Sequence, residues 1–209
     1  MKTVLELPST KAFDYFLQSS NYSTLSLPIY FNFDKILDFV KSKVGKKDFR
    51  QCLKDAKKLP SDYENVNYDL LVNKDGRYAY RPLQLANPFL YYFLAREITK
   101  LDNWNLIKNR FKYFKKDNFE IVSIPLVKER GDKNTVATSI KSWWEHIEQR
   151  SIELSLEYKY IFITDITNCY GSIYSHSIAW ALHGINYAKS NRIILHLEVF
   201  RLSEHSAYP

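Results

Sequence analysis

The sequence predicts an α+β fold, because strand-like and helix-like patterns alternate along its 209 residues. Residues 68–72 and 77–85 alternate in polarity and flank Asp75 and Gly76, a pair that is a strong signal for a β-hairpin. Apolar residues recur at helical spacing after Pro88. A β-branched and aromatic run at 160–163 predicts a buried strand.

The first 65 residues predict a helical segment broken by loops. Ser9 stands where it can cap a short helix, and Asp34 where it can cap a second helix that Gly45 ends. The second helix is expected to turn its apolar residues inward. These are Ile36, Leu37, Val40 and Val44.

The second half predicts further helices and one further strand. Asn87 and Pro88 are typical of the start of a helix, and residues 121–127 are strand-like. Helical spacing over 140–154 predicts a long helix that runs into the strand at 160–163, with Trp143 and Trp144 in the core. A last helix is expected to begin at 175–177 and to end at Gly184.

Composition narrows the functional classes. A formal net charge of +7 favours an acidic partner such as nucleic acid, although an ordinary basic protein carries as much. Cys52 and Cys169 are too few and too far apart for a disulfide framework or a structural zinc site, so a reducing cytoplasm fits best. No run approaches the roughly 20 apolar residues of a membrane span.

His176 and His183 do not have the spacing of metal ligands, and we expect them to have capping and packing roles.

Two basic stretches are candidates for contact with a phosphate backbone. Residues 41–58 carry eight lysines and arginines, and a solvated helix face explains them as well as phosphate binding does. Residues 108–116 interleave five cations with Phe111, Tyr113 and Phe114. This pattern can meet phosphates while stacking on unpaired bases, or it can be an amphipathic segment that buries the rings.

The most specific chemical pattern follows the run at 160–163. Asp165 and Tyr170 stand five residues apart, and we expect the carboxylate and the ring to border one cleft. In a polymerase such a carboxylate holds Mg²⁺ and such a ring packs under the incoming sugar. A strand that ends in Asp also occurs in many α/β domains as a helix cap or a surface turn.

The spacing Asp-x-x-x-x-aromatic, continued by GSIYSHSIAWALHG at 171–184, resembles the first carboxylate motif of bacterial reverse transcriptases of the abortive-infection and phage-defence type. The resemblance covers roughly residues 27–192. It implies an RNA-directed DNA polymerase with the fingers and part of the palm of a right-hand polymerase. RNA or DNA and deoxynucleoside triphosphates are the partners that it implies.

The resemblance also assigns roles to individual residues. Asp165 and the carbonyl of Ile166 would hold Mg²⁺ for nucleotidyl transfer, and Tyr170 would limit the sugar 2′ position. In the family's fingers motif a basic residue on the second hairpin strand meets the triphosphate, which points to Arg81, with Lys74 as a further candidate. Arg81 standing alone is also explained by a salt bridge to a neighbouring acid.

The same resemblance divides the chain into four segments. These are a helical N-terminal segment at 1–65, a fingers-like region at 66–157, a partial palm at 158–192 and a tail at 193–209 that reads like an out-of-frame sequence. No aspartate follows Asp165, so the second carboxylate motif of the family is missing. We therefore expect a truncated or frame-shifted chain that does not polymerise nucleotides alone. The alternative is a non-catalytic module that binds nucleic acid or a protein partner.

Overall fold

Helices make up most of the described chain. The computed structural model describes residues 2–23, 27, 28, 30–54, 60–73, 80–115, 121–127, 135–166, 169 and 172–191. The helices are α1 (Ser9–Phe16), α2 (Ser19–Tyr22), α3 (Asp34–Val44), α4 (Phe49–Cys52), α5 (Pro88–Ile98), α6 (Leu101–Phe114), α7 (Thr135–Glu157), α8 (Ser175–His183) and α9 (Ile185–Ser190). The strands are β1 (Tyr68–Asn73) and β2 (Tyr80–Leu85), and 3-10 turns lie at Val4–Glu6 and Pro60–Asp62.

The described residues form two compact units. The first unit comes from residues 2–15 and 101–190, and the second from residues 16–100 with Asn191. The second unit is therefore inserted in the chain between the two parts of the first. None of the described helices has the length and apolar content that crossing a membrane requires.

The predicted hairpin is confirmed as a pair of antiparallel strands in the second unit. β1 pairs with β2 from Tyr68 opposite Leu85 to Asn73 opposite Tyr80. Pro82 lies in β2, which is tolerated because the two-stranded sheet has only edge strands. The connection at 74–79, with the predicted Asp75 and Gly76 turn, lies outside the described residues.

The start of α5 is fixed to the base of the hairpin, as the order of hairpin, short loop and helix predicted. The Asn87 side chain accepts hydrogen bonds from the backbone N–H groups of Phe89 and Leu90, at 3.0 and 3.5 Å. The Asn87 backbone N–H in turn donates to Oδ1 of Asn67, 2.9 Å away, just before β1. Asn87 therefore caps the helix, and Pro88 occupies a first-turn position that needs no N–H.

Helix α3 packs on α5 and supplies much of the core of the second unit. Leu37, Val40 and Val44 are buried as predicted, whereas Ile36 is exposed. Gly45 ends the helix at φ +54°, a left-handed conformation that favours glycine. The predicted cap at Asp34 is wrong, because the N-cap position is held by Phe33, whose side chain makes no capping hydrogen bond. Asp34 lies in the first turn, where its carboxylate accepts a hydrogen bond from the Ser19 backbone N–H at 3.0 Å.

Tyr22 lies at the centre of an aromatic cluster in the second unit. Its ring meets those of Phe33 and Tyr91 edge to face, with centroids 5.0 and 4.8 Å apart. Its hydroxyl donates a hydrogen bond to the Ala86 carbonyl. Burial raises the pKa of Tyr22 to about 12, so the hydroxyl remains a donor at neutral pH.

In the first unit, the N-terminal residues are held against residues 125–127. The backbone N–H of Val4 donates to the Pro125 carbonyl at 2.9 Å, and that of Val127 to the Lys2 carbonyl at 2.7 Å. The predicted strand at 121–127 is thus only an isolated bridge between Thr3 and Leu126. Ser9 is not a cap, since the Pro8 carbonyl accepts the first helical bond of α1, from the Ala12 N–H.

Helix α7 confirms the predicted long helix, but its apolar residues are not core. Trp144 was predicted to be buried, and it is exposed. Trp143 is half-buried, and within the described residues its buried indole N–H has no hydrogen-bond partner. Helical spacing predicted the helix correctly because spacing reports the period of the backbone, whereas burial also needs an element to pack against.

The segment after α7 does not form the predicted buried strand. Residues 158–166 pair with no strand in the described chain, and their side chains are exposed. A β-branched and aromatic composition favours a strand only where a neighbour supplies backbone partners and packing. Among the described residues, no such neighbour pairs with 160–163.

Candidate nucleic-acid interface

The residues assigned by the family resemblance are only partly described by the structure. Asp165 lies in the coil at 158–166 with an exposed carboxylate, which accepts a hydrogen bond from the Ile166 backbone N–H at 2.7 Å. Lys74 and Tyr170 lie outside the described residues. Arg81 lies in β2 opposite Val72, and only its backbone is described. The structure therefore does not test whether these residues form one cleft.

The resemblance implies a Mg²⁺ ion, which carboxylate oxygens of the chain would have to bind. Within the described ranges, no group of three or more His, Cys, Asp or Glu lies close enough to hold a metal ion. Asp165 offers one carboxylate, whereas two-metal nucleotidyl transfer needs several carboxylates that bridge the ions. The described residues do not fit a two-metal centre.

Helix α6 presents a basic face to a groove in the first unit. Lys108 and Lys112 lie on α6, and Lys115 directly follows its last residue, with its backbone N–H still bonded to the Phe111 carbonyl. Their spacings of four and three residues place the three lysines on one side of the helix. The groove has a volume of about 880 Å³. We call it the α6 groove, and it is lined by Thr3, Leu5, Glu6, Asn105, Lys108, Asn109, Phe111, Lys112, Lys115, Ile121, Val122, Ile124 and Leu126.

The charges that line the α6 groove are mostly positive. Three lysines outnumber the single carboxylate, that of Glu6. None of the three lysines forms an ion pair with a carboxylate in the described chain. Their charges are therefore available to an anionic ligand, and the side chains of Asn105 and Asn109 add neutral hydrogen-bonding groups beside them.

The carboxylate of Glu6 is hydrogen-bonded within the N-terminal turn. Its Oε1 accepts hydrogen bonds from the backbone N–H of Thr3 at 2.7 Å and from the Thr3 hydroxyl at 2.9 Å. These bonds lower the pKa of Glu6 below its ordinary value, the backbone bond contributing most. Glu6 therefore remains an anion that offsets one of the three lysine charges and leaves the groove net positive.

The aromatic residues of this stretch remain exposed. Phe111, Tyr113 and Phe114 all keep large accessible areas, so the alternative in which an amphipathic helix buries these rings is wrong. Phe111 lines the groove beside the lysines. An exposed ring next to cations is the arrangement that stacks on an unpaired base while the cations meet its phosphates.

Arg110 is used within the protein. Its Nε donates a hydrogen bond to the Ala181 carbonyl at 2.6 Å and so joins α6 to α8. Its guanidinium also lies over the rings of Tyr113 and Phe114, with the carbon 4.7 and 4.8 Å from their centroids. One of the five cations counted in the sequence is thus committed to packing.

His183, at the end of α8, should make the first unit sensitive to pH. Burial, and secondly the positive charge of Arg110, lower the pKa of His183 from its ordinary value of 6.5. The unfolded chain then takes up the proton more readily than the folded one. The stabilisation is complete above pH 6.5 and is lost as the pH falls from there through the lowered folded pKa.

We therefore expect the free energy of unfolding to fall as the pH drops below 6.5, and we expect His183→Gln to reduce this fall. Urea denaturation at several pH values measures the effect. Asn186→Gln, which changes an exposed side chain on α9 and removes no titratable group, is the control and should leave the pH dependence unchanged. A slope that His183→Gln does not alter would contradict the assignment.

The two histidines of α8 pack against aromatic rings, and the two cysteines are free thiols. His176 and His183 lie on α8, where His176 packs against Tyr174 with ring centroids 4.9 Å apart and His183 against Tyr187 at 5.7 Å. Cys52 is half-buried and Cys169 is exposed, and both are free thiols. The packing expected for the histidines is confirmed by these ring contacts.

Sequence reasoning identified the basic stretch on α6 but missed the wall of the groove that faces it. Thr3 and Glu6 contribute to that wall, about a hundred residues before α6 in the chain. Their spacing of three residues is that of a capping box, in which each side chain bonds to the backbone of the other. This signal could have placed a turn at the N-terminus, although not its position beside α6.

No family model matches the chain, and no curated protein matches its sequence.

Proposed function

We propose that the chain binds single-stranded nucleic acid through the α6 groove, as the binding part of a reverse-transcriptase-like protein. The observation that carries the proposal is the row of Lys108, Lys112 and Lys115 along one face of α6 beside the exposed ring of Phe111. Lysines at helical spacing can follow successive phosphates, and a positively charged groove that tracks the backbone is typical of single-strand binding.

The exposed rings favour a single strand over a duplex. Base faces in a duplex are covered by their neighbours, so a protein ring can stack only on an unpaired base. Phe111 lies among the lysines of the groove, and its exposed ring is the one that can stack on a base there. The overall charge of +7 adds a long-range attraction to any polyanion.

Binding of a labelled oligonucleotide of about 16 nucleotides, measured by fluorescence anisotropy, tests the proposal. If the three lysines each meet one phosphate, the logarithm of the affinity should fall against the logarithm of salt concentration with a slope of about −2. A duplex of the same length is the comparison and should bind more weakly. Affinity that is independent of salt, or tighter binding to the duplex, would contradict the proposal.

Nucleotidyl transfer, which the resemblance implies, stays a prediction. Its support in the structure is the exposed carboxylate of Asp165, next to the peptide group of Ile166. No catalytic step is assigned to Asp165 alone, since one carboxylate cannot hold two Mg²⁺ ions against their mutual repulsion. Antiviral defence likewise rests on the resemblance.

Titration with a deoxynucleoside triphosphate, with and without Mg²⁺, tests whether Asp165 belongs to a nucleotide site. If it does, Mg²⁺-dependent binding is observed and is lost in Asp165→Asn, because the amide cannot replace a carboxylate as an anionic ligand. Asp102→Asn, at an exposed position on α6, is the matched control. Nucleotide binding without Mg²⁺ dependence, or equal binding in both variants, would exclude this role for Asp165.

A further inference from the structure

The 158–166 segment leaves a strand-like run of side chains uncovered. Tyr160, Phe162 and Ile163 are 84%, 90% and 87% exposed, which is extreme for residues of this type. Among the described residues, no backbone hydrogen bond joins 159–164 to another part of the chain. The run therefore offers both apolar surface and unsatisfied backbone groups.

These two properties together point to pairing with another strand. An unpaired strand presents a row of N–H and C=O groups that is a template for a further strand. Contiguous exposed apolar residues mark interaction sites on soluble proteins. The β-branched and aromatic composition of 160–163 lowers the cost of becoming a strand once a partner supplies the hydrogen bonds.

The charges that flank the run make it complementary to itself. In an antiparallel pair of two copies centred on Phe162, Lys159 of one copy lies directly opposite Asp165 of the other. The two-fold symmetry produces this opposite-charge pair twice. We propose that two copies of the chain associate through antiparallel pairing of residues 159–165.

The apolar residues match in the same register. Ile161 lies opposite Ile163 on the face that carries the charge pairs, and two β-branched side chains pack well across strands. On the other face Phe162 lies opposite its own copy, and Tyr160 lies opposite Thr164. Each position therefore faces a side chain of compatible character.

Neighbouring two-fold registers lose the charge complementarity. Moving the pairing by two residues in one direction places Asp165 opposite Ile161, and in the other direction opposite Glu157. A carboxylate facing an apolar side chain or another carboxylate is unfavourable. Lys159 and Asp165 thus select the register centred on Phe162.

Sedimentation equilibrium of the full chain over a range of concentrations tests the pairing. We expect a monomer–dimer equilibrium in the wild type. Lys159→Asp or Asp165→Lys alone should raise the dimer dissociation constant about tenfold or more, because each creates two like-charge pairs per dimer. The two substitutions together restore opposite charges and should return the constant close to the wild-type value.

Lys35→Asp makes the same change of charge on the exposed side of α3 and should leave the dimer unaffected. Phe162→Asp should yield a monomer with an unchanged circular dichroism spectrum, because the side chain is exposed in the folded chain. The proposal is overturned if the wild type is monomeric at all concentrations or forms an assembly larger than a dimer. It is also overturned if the double variant has a dimer dissociation constant as high as that of the single variants. The readout is independent of nucleic-acid binding, so neither proposal can fail through the other.

Discussion

Exchange of Lys108, Lys112 and Lys115 for glutamine is expected to weaken binding of a single-stranded oligonucleotide about 100-fold at low salt. Contact between unit charges in a solvent-like dielectric contributes about 1 kcal/mol, and three such contacts approach the roughly 2.7 kcal/mol that a 100-fold change represents. The slope of the logarithm of affinity against the logarithm of salt concentration should become less negative by about 2, since each lost phosphate contact removes roughly 0.7 from its magnitude. Fluorescence anisotropy at several salt concentrations measures both quantities.

A second triple variant separates a defined interface from general attraction. Exchange of Lys43, Lys46 and Lys47 for glutamine removes the same charge from the end of α3 and the turn after it, where the side chains are exposed. We expect a loss of less than about threefold, through long-range electrostatics alone. If both triple variants lose affinity equally, the α6 groove is not the interface and the net charge explains the binding.

Trp104→Ala is expected to lower the free energy of unfolding of the first unit by about 3–5 kcal/mol, a large part of the stability of a domain. Trp104 is only 2% exposed, and its Nε1 donates a hydrogen bond to the Leu7 carbonyl at 2.9 Å. The substitution removes buried ring surface and leaves a cavity and an unpaired carbonyl. Urea denaturation followed by far-ultraviolet circular dichroism measures the change without relying on the lost fluorophore.

Two related variants divide the cost into its parts. Trp104→Phe keeps a ring in the core and loses the hydrogen bond, and it should cost less than the alanine substitution. Trp144→Ala removes the same side chain from α7, where it is 61% exposed, and should cost less than about 1 kcal/mol. Equal losses at Trp104 and Trp144 would show that Trp104 is not part of the core.

Sequence patterns predicted the local structure better than the burial. Asn87 and Pro88 were recognisable as a helix start because capping depends on residues within one turn. The strand pair was recognisable because alternation and turn chemistry are also local. Tyr160 was assigned to a buried strand on composition and Trp144 to the core on helical spacing, but both are exposed. Burial depends on distant elements that local patterns do not report.

In the candidate interface, too, only features that depend on nearby residues could be predicted from the sequence. The lysines of α6 were recognisable as one basic stretch, since helical spacing groups them on one face. The hydrogen bond that Arg110 donates could not be recognised in the sequence, because its acceptor, the Ala181 carbonyl, lies 71 residues further along the chain. The roles that the family resemblance gives to Arg81, Asp165 and Tyr170 remain predictions.

The insertion of residues 16–100 between the two parts of the first unit has a consequence for synthesis on the ribosome. Residues 2–15 emerge first, but their partners at Trp104 and at 125–127 are made about a hundred residues later. Apart from Asn191, the described part of the second unit is the continuous stretch 16–100, which can begin to fold as soon as it has emerged. Its folding draws residues 16 and 100 into one compact body and so shortens the loop that the N-terminal residues must close to reach α6. Folding of the second unit thus lowers the entropic cost of completing the first unit, whose two parts flank it in the sequence.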